Sequence, residues 1–137
     1  MSVCFFFFTM ESNILRSALL VEDEPMSRMI LERHLRRAGF SRTLVATNGY
    51  EALNVLPGGD CPDIIFTDVH MPDIDGVSLV SYLRQTPSFA TIPIVAVTAD
   101  PSDSHDWKAE GFSDYLGKPY TFEDLKSALE RLGLVFS

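Results

Sequence analysis

Four short apolar runs in this chain each end on a residue able to do chemistry. Glu22 and Asp23 follow Ala18-Leu19-Leu20-Val21, and Asp68 follows Asp63-Ile64-Ile65-Phe66-Thr67. Thr98 follows the run from Ile92 to Val97, and Lys118 follows Phe112 to Leu116 after an intervening Gly117. Open parallel sheets bind ligands beyond the carboxyl ends of their strands, at the switch point in strand order, so these residues are expected to face one crevice. Three carboxylates gathered there would repel and take up protons unless a cation balanced them. An oxygen-only donor set suits Mg²⁺, with Mn²⁺ as its substitute, because such ions keep several waters and take carboxylate ligands. A lysine and a threonine hydroxyl facing the same crevice are natural partners for phosphoryl oxygens. The chain has no glycine-rich phosphate loop and no Walker lysine, so nucleotide binding has no support.

The elements that must position these residues alternate between apolar runs and helix-period segments about five times, the signature of an α/β domain with a parallel sheet. After the first strand, Glu22-Asp23-Glu24 breaks the run, and Pro25 suits the first turn of a helix reaching about Ala38, ended by Gly39. That helix is expected to carry Met26, Met29, Ile30, Leu31 and Leu35 near one side. A second run, Thr43 to Ala46, precedes a short helix opened by Asn48-Gly49 and closed by Pro57-Gly58-Gly59. The third run leads through a loop, Val69 to Gly76, into a helix with Val77, Leu79, Val80 and Leu83 inward. The fourth run is followed by a weakly patterned segment, Ser102 to Glu110, whose one large apolar residue is Trp107. The last helix spans about Phe122 to Leu132, with Thr121 as its N-cap and Glu123 and Asp124 in its first turn.

Length and composition bound the remaining choices. The 137 residues make one domain, and 46% apolar residues provide for a sizeable core. A net charge of −8 argues against a general nucleic-acid binder and against docking on an anionic membrane. Only Cys4 and Cys61 are present, so no disulfide framework is readable, Cys61 is expected to be a small packed thiol, and a cytoplasmic, reducing setting is the default. The stretch Val3 to Phe8 is too short to span a bilayer and lacks the positive flank of a signal peptide. Residues 1–11 are expected to be a dispensable or disordered N-terminal extension, and 12–137 the domain.

With Leu20-Val21-Glu22-Asp23-Glu24-Pro25, Thr67-Asp68-Val69-His70-Met71-Pro72-Asp73-Ile74-Asp75-Gly76, Val97-Thr98-Ala99 and Asp114-Tyr115-Leu116-Gly117-Lys118-Pro119 in this order, the chain resembles a receiver domain of the two-component response-regulator family. The resemblance covers about residues 14–133. It implies a flavodoxin-like, doubly wound (βα)5 fold with five parallel strands in the order 2-1-3-4-5. It also implies that Asp68 is the phosphoacceptor, taking a phosphoryl group from a phosphohistidine. Asp23 would be the direct metal ligand, Glu22 would hold a metal-bound water, and the backbone carbonyl of His70 would complete the protein's share of Mg²⁺ coordination. Lys118 would pair with the acyl-phosphate oxygens, Thr98 would hydrogen-bond one of them, and Thr98 with Tyr115 would form the switch pair. The Lys118–Pro119 peptide is cis in the family. The partners implied are a sensor histidine kinase, a histidine phosphotransfer protein, and a downstream protein target.

Each residue also has a plainer reading. Asp68 alone could cap a helix, Glu22-Asp23-Glu24 could merely favour a helix N-terminus, and Tyr115 could be an ordinary half-exposed ring. The side chain of His70, a lone histidine in a loop, is not expected to be a metal ligand. Placed two positions beyond Asp68 and Thr98, His70 and Asp100 are expected to tune the lifetime of the acyl phosphate. The basic cluster Arg28, Arg33, His34, Arg36, Arg37 and Arg42 is either a solvated helix face or a docking surface for an acidic kinase or phosphotransfer partner. The stretch from Thr98 to Lys118 is shorter than is typical for a receiver, which implies a shortened fourth helix whose gap Trp107 or Phe112 could fill. The function expected is that of a stand-alone receiver, a phosphorylatable switch or phosphoryl shuttle that is not itself an enzyme and acts through a separate protein. The alternatives are a phosphorylation-independent interaction module and the receiver portion of a larger hybrid kinase or regulator.

Overall fold

The computed structural model describes residues 16–56, 61–69, 75–99 and 106–134. Its elements are β1 (Ser17–Val21), α1 (Pro25–Arg37), β2 (Arg42–Ala46), α2 (Gly49–Val55), β3 (Ile64–Asp68), α3 (Gly76–Arg84), β4 (Ile94–Thr98), β5 (Asp114–Gly117) and α4 (Phe122–Arg131), with a 3₁₀ turn at Pro87–Phe89. The five strands form one parallel sheet in the order β2-β1-β3-β4-β5. This is the doubly wound, flavodoxin-like order expected, and the order reverses between β1 and β3.

The continuous apolar runs are explained by two cores, one on each face of the sheet. Ala18, Leu20, Ile64, Phe66, Val95 and Val97 join Leu31 and Leu35 of α1 and Leu125, Ala128 and Leu129 of α4 on one face. Leu19, Val21, Ile65, Ile94 and Ala96 join Ala52 of α2 and Leu79, Val80 and Leu83 of α3 on the other. Alternate residues of each strand thus serve opposite cores, as the two-residue strand period requires. Each of the four α-helices among the described residues is started by a side-chain cap. Glu24, Asn48 and Asp75 accept from Ser27 N, Glu51 N and Ser78 N, and Thr121 with Asp124 forms a reciprocal capping box.

Several expectations need correction. Met26, Met29 and Ile30 do not share the buried side of α1; they are 61%, 53% and 44% exposed, and only Leu31 and Leu35 are buried. A helix packed on one sheet face buries a narrow stripe, and five residues exceed it. β5 begins at Asp114, because Phe112 instead plugs the α3-side core from the turn before it. β4 begins at Ile94, just beyond Pro93, which has no N–H to give to the ladder. Cys61 packs against the α3-side core, and in place of the free thiol expected it is disulfide-bonded.

Between β4 and β5 the described residues form turns over 107–111, with no helix among them; the remainder of that expected short helix lies outside the described residues. Trp107 and Phe112 both enter the core there, ring edge to ring face at 5.6 Å. Arg84, at the end of α3, ties this segment down. Its guanidinium donates to the carbonyls of Gly111, Ala90 and Ile92 at 2.7–2.9 Å and to Ser113 Oγ at 3.3 Å. Gly111 adopts φ +106°, and a Cβ there would meet Val80 Cγ1 at 2.7 Å. No helix among the described residues is long and apolar enough to cross a membrane. The N-terminal segment 1–11, Pro57-Gly58-Gly59, His70, Asp73 and Asp100 lie outside the described residues.

Candidate functional site

At the carboxyl end of the sheet, four of the five strands, β1, β3, β4 and β5, deliver the polar residues Glu22 and Asp23, Asp68, Thr98 and Lys118. Val21 pairs with Thr67, Asp68 with Val97, and Thr98 with Gly117, so the residues after β1 and at the ends of β3, β4 and β5 stand side by side. The Lys118 N–H donates to the Thr98 carbonyl at 2.7 Å, fixing the lysine backbone just past β5, and the Lys118–Pro119 peptide is cis.

Glu22, Asp23 and Asp68 each offer a carboxylate oxygen, and these atoms lie within 4.8 Å of one another. Lys118 Nζ sits 3.0 Å from Glu22 Oε1 and 3.9 Å from Asp68 Oδ2. Thr98 is 1% exposed at the neighbouring strand end. The structure therefore brings together Glu22, Asp23, Asp68 and Lys118, with Thr98 adjoining. Tyr115 lies away from the crevice, 42% exposed, and His70 and Asp100 lie outside the described residues.

Glu22 is the buried member, 5% exposed, with its N–H given to the Ala46 carbonyl and its carbonyl accepting from Arg28 Nη1 at 3.0 Å. Burial pushes its carboxyl above the usual range, and the nearby Asp68 charge adds to this, while the Lys118 ammonium opposes both. The Glu24 N–H also donates to Glu22 Oε2 at 3.2 Å. A crevice of three acids and one lysine thus carries excess negative charge, and hard oxygen donors at this spacing fit a divalent cation of the Mg²⁺ type. Such an ion would take over the neutralising role that Lys118 now serves toward Glu22.

One close approach at the crevice escaped the sequence reading, which quoted Gly76 without giving it a role. Gly76 opens α3 against the strand end that bears Asp68. A Cβ on it would lie 2.6 Å from the Asp68 carbonyl oxygen and 2.9 Å from Val69 Cα. Its N–H donates to the Val69 carbonyl at 2.9 Å. The signal available was Asp75-Gly76 itself, a cap followed by the one residue with no side chain to obstruct a close approach.

A response regulator receiver domain model matches residues 18–130. The chain is 34% identical over 116 residues to the sensor histidine kinase CheAY of Helicobacter pylori, covering 82% of this chain and 14% of the kinase. It is 38% identical over 123 residues to hybrid signal transduction histidine kinase E of Dictyostelium discoideum, covering 86% of this chain and 7% of that protein. Against the Helicobacter pylori chemotaxis protein CheY1 the identity is 32% over 114 residues, covering 82% of this chain and 92% of the relative. Among solved structures, chemotaxis response regulator CheY4 of Vibrio cholerae superposes with a TM-score of 0.77 at 29% identity, covering 86% and 98% of the two chains. The receiver domain of a Pseudomonas aeruginosa sensor histidine kinase, solved with a magnesium ion coordinated in its active-site cleft, gives 0.75 at 30% identity and covers 85% and 95%. The chain belongs to the response-regulator receiver family, the phosphoacceptor domains of two-component signalling.

Proposed function

We propose that Asp68 is the phosphoacceptor of this receiver. The observation carrying this is the set of Glu22, Asp23 and Asp68 oxygens within 4.8 Å of one another, with Lys118 Nζ 3.9 Å from Asp68. An Asp68 carboxylate oxygen attacks the phosphorus of a phosphohistidine. The P–O bond forms as the P–N bond breaks, and the imidazole leaves with the electron pair and takes up a proton. Glu22, Asp23, Asp68 and the backbone carbonyl of His70 would hold the Mg²⁺, or Mn²⁺ in its place. When bound, that ion supplies positive charge to the transferring phosphoryl oxygens. Lys118 turns from Glu22 toward those oxygens, and the Thr98 hydroxyl donates to one of them. Positioning and charge neutralisation are the whole contribution of the chain, so it acts as a switch and is not an enzyme on an external substrate.

The donor is a sensor histidine kinase or a histidine phosphotransfer protein. Arg28, with exposed Met26, Met29 and Ile30 on the first turns of α1, supplies a charged and apolar face at the crevice end of that helix, and Arg33, Arg36 and Arg37 extend the basic surface along it away from the crevice. Output passes to a separate protein through the Thr98–Tyr115 switch, or the phosphoryl group is shuttled onward. His70 and Asp100 tune the lifetime of the acyl phosphate. Residues 12–137 form the receiver and 1–11 an extension, and neither nucleic acid nor membrane is a partner. The setting is cytoplasmic, where the Cys61 disulfide would be reduced. A second reading, the receiver portion of a hybrid kinase, is favoured by relatives of which this chain spans only 14% and 7%. The same residues serve in either case. A phosphorylation-independent module is disfavoured by the intact Asp68, Thr98 and Lys118.

The test is incubation with acetyl phosphate and Mg²⁺. Acid-stable, base-labile phosphate on wild type and none on Asp68→Asn is expected. No incorporation into folded wild type would overturn the reading in favour of a constitutive interaction module.

A further inference from the structure

We propose that Trp107 is a positioning residue of the switch, holding the Tyr115 ring outward and so setting the resting balance. The proposal rests on the phosphoacceptor reading of Asp68. Trp107 is 7% exposed in a turn that precedes β5, and it is fixed there by its edge contact with Phe112 and by the core it shares with Val80, Leu83 and Phe89. The Tyr115 ring lies over it with centroids 6.0 Å apart and planes 28° from parallel. The anchored ring therefore gives the half-exposed ring an outward resting place.

The strand register shows what the stack opposes. Tyr115 pairs with Ala96, and Thr98 pairs with Gly117. Because side chains alternate along a strand, Ala96, Thr98, Tyr115 and Gly117 share one face of the sheet. A Tyr115 ring moving toward Thr98 travels along that face over Gly117, which has no side chain to obstruct it, and must first leave Trp107. Phosphorylation that draws Thr98 toward Asp68 is thus opposed by the Trp107–Tyr115 stack. Population shift toward the inward state is then easier when the stack is lost.

Trp107 is the only tryptophan of the chain, so tryptophan fluorescence comes from the ring on which Tyr115 stacks, and Tyr115→Ala isolates the share due to that contact. The experiment titrates the full chain, with Mg²⁺ present throughout, with beryllofluoride, a phosphoryl mimic that binds without covalent transfer. Binding is followed independently by ¹⁹F NMR. In wild type, Trp107 emission changes in step with binding. Tyr115→Ala shows the altered emission before any addition and changes little afterwards. Trp107→Leu binds beryllofluoride about three- to tenfold more tightly, and Trp107→Phe, which keeps a stacking ring, falls in between. Absence of any ¹⁹F signal from bound ligand in wild type would refute the Asp68 reading and the proposal with it. Normal binding with unchanged wild-type emission, or a folded Trp107→Leu with wild-type affinity, would overturn the latch while leaving Asp68 intact. If Trp107→Leu fails to fold, wild-type emission together with Trp107→Phe affinity decides between the same two outcomes.

Discussion

Replacing Gly76 with alanine tests whether the close approach of α3 to the end of β3 positions Asp68. The added methyl would lie 2.6 Å from the Asp68 carbonyl oxygen, 2.9 Å from Val69 Cα and 3.3 Å from the Asp68 carbonyl carbon. Non-bonded carbon contacts are comfortable near 3.5 Å, so the helix start or the strand end must give by roughly 0.8 Å. All three neighbouring atoms are backbone, held by the β3–β4 ladder and by the Gly76 N–H to Val69 carbonyl bond, so none can swing aside. Overpacking of this kind costs about 1–3 kcal/mol. The gain from replacing glycine in a helix is at most about 1 kcal/mol, and less at a first helical position. The net expectation is a loss of about 1–2 kcal/mol, seen as a fall of roughly 3–8 °C in Tm for a chain of this size.

The functional consequence is separate. A displacement of about 1 Å at a reacting group can cost on the order of a hundredfold in rate, so acetyl phosphate should label Gly76→Ala tenfold to a hundredfold more slowly than wild type below its melting range. Thermal denaturation by circular dichroism and a timed labelling assay read the two effects independently. A Tm equal to or above that of wild type would show that ordinary helix propensity outweighs the contact. A lowered Tm with an unchanged labelling rate would show that α3 does not govern the position of Asp68. Either result refutes the reasoning.

Mg²⁺ should raise the Tm of wild type in a concentration-dependent way, because it binds only the folded crevice, and Asp23→Ala should abolish the shift; an equal shift in both would remove Asp23 from the metal site. Arg84→Met should lower stability by about 2–4 kcal/mol in urea denaturation, since three carbonyls lose a charged donor in a part-buried place. A loss below about 0.5 kcal/mol would mean that water replaces the guanidinium freely. His70→Ala and Asp100→Ala should each change the dephosphorylation half-life severalfold, measured by loss of label after donor removal, and unchanged half-lives would dismiss the tuning role.

The sheet and its crevice were legible because each apolar run stops abruptly at a polar residue, and a parallel strand buried on both faces leaves little choice of where it ends. Glu22, Asp23, Asp68, Thr98 and Lys118 all follow from that single rule together with the switch-point geometry. The helix faces were less legible. Met26, Met29 and Ile30 fit the helical period as well as Leu31 and Leu35, and only the width of the contact with the sheet excludes them from the core. Arg84 was invisible for a different reason. Its partners are three backbone carbonyls in two separate segments, and carbonyls carry no sequence signal. Gly76 was hidden likewise, because its role is a distance to a backbone atom.

The acid excess takes on a physical meaning at Lys118. An ammonium 3.0 Å from the buried Glu22 and 3.9 Å from Asp68 neutralises only part of the charge of the three clustered acids. Burial raises the Glu22 carboxyl, so keeping it ionised costs folding free energy, and the lysine lessens that cost. A divalent cation lessens it further and removes the reason for Lys118 to stay beside Glu22. The lysine is then available to an incoming phosphoryl group, whose own negative charge would otherwise be repelled by the same acids. In that arrangement metal binding and phosphoryl binding are coupled through one side chain. Lys118→Met should therefore weaken phosphoryl-mimic binding while leaving Mg²⁺ binding intact or tighter. If Lys118→Met instead lost Mg²⁺ affinity, the lysine would be holding the acids in place and not competing with the ion for them.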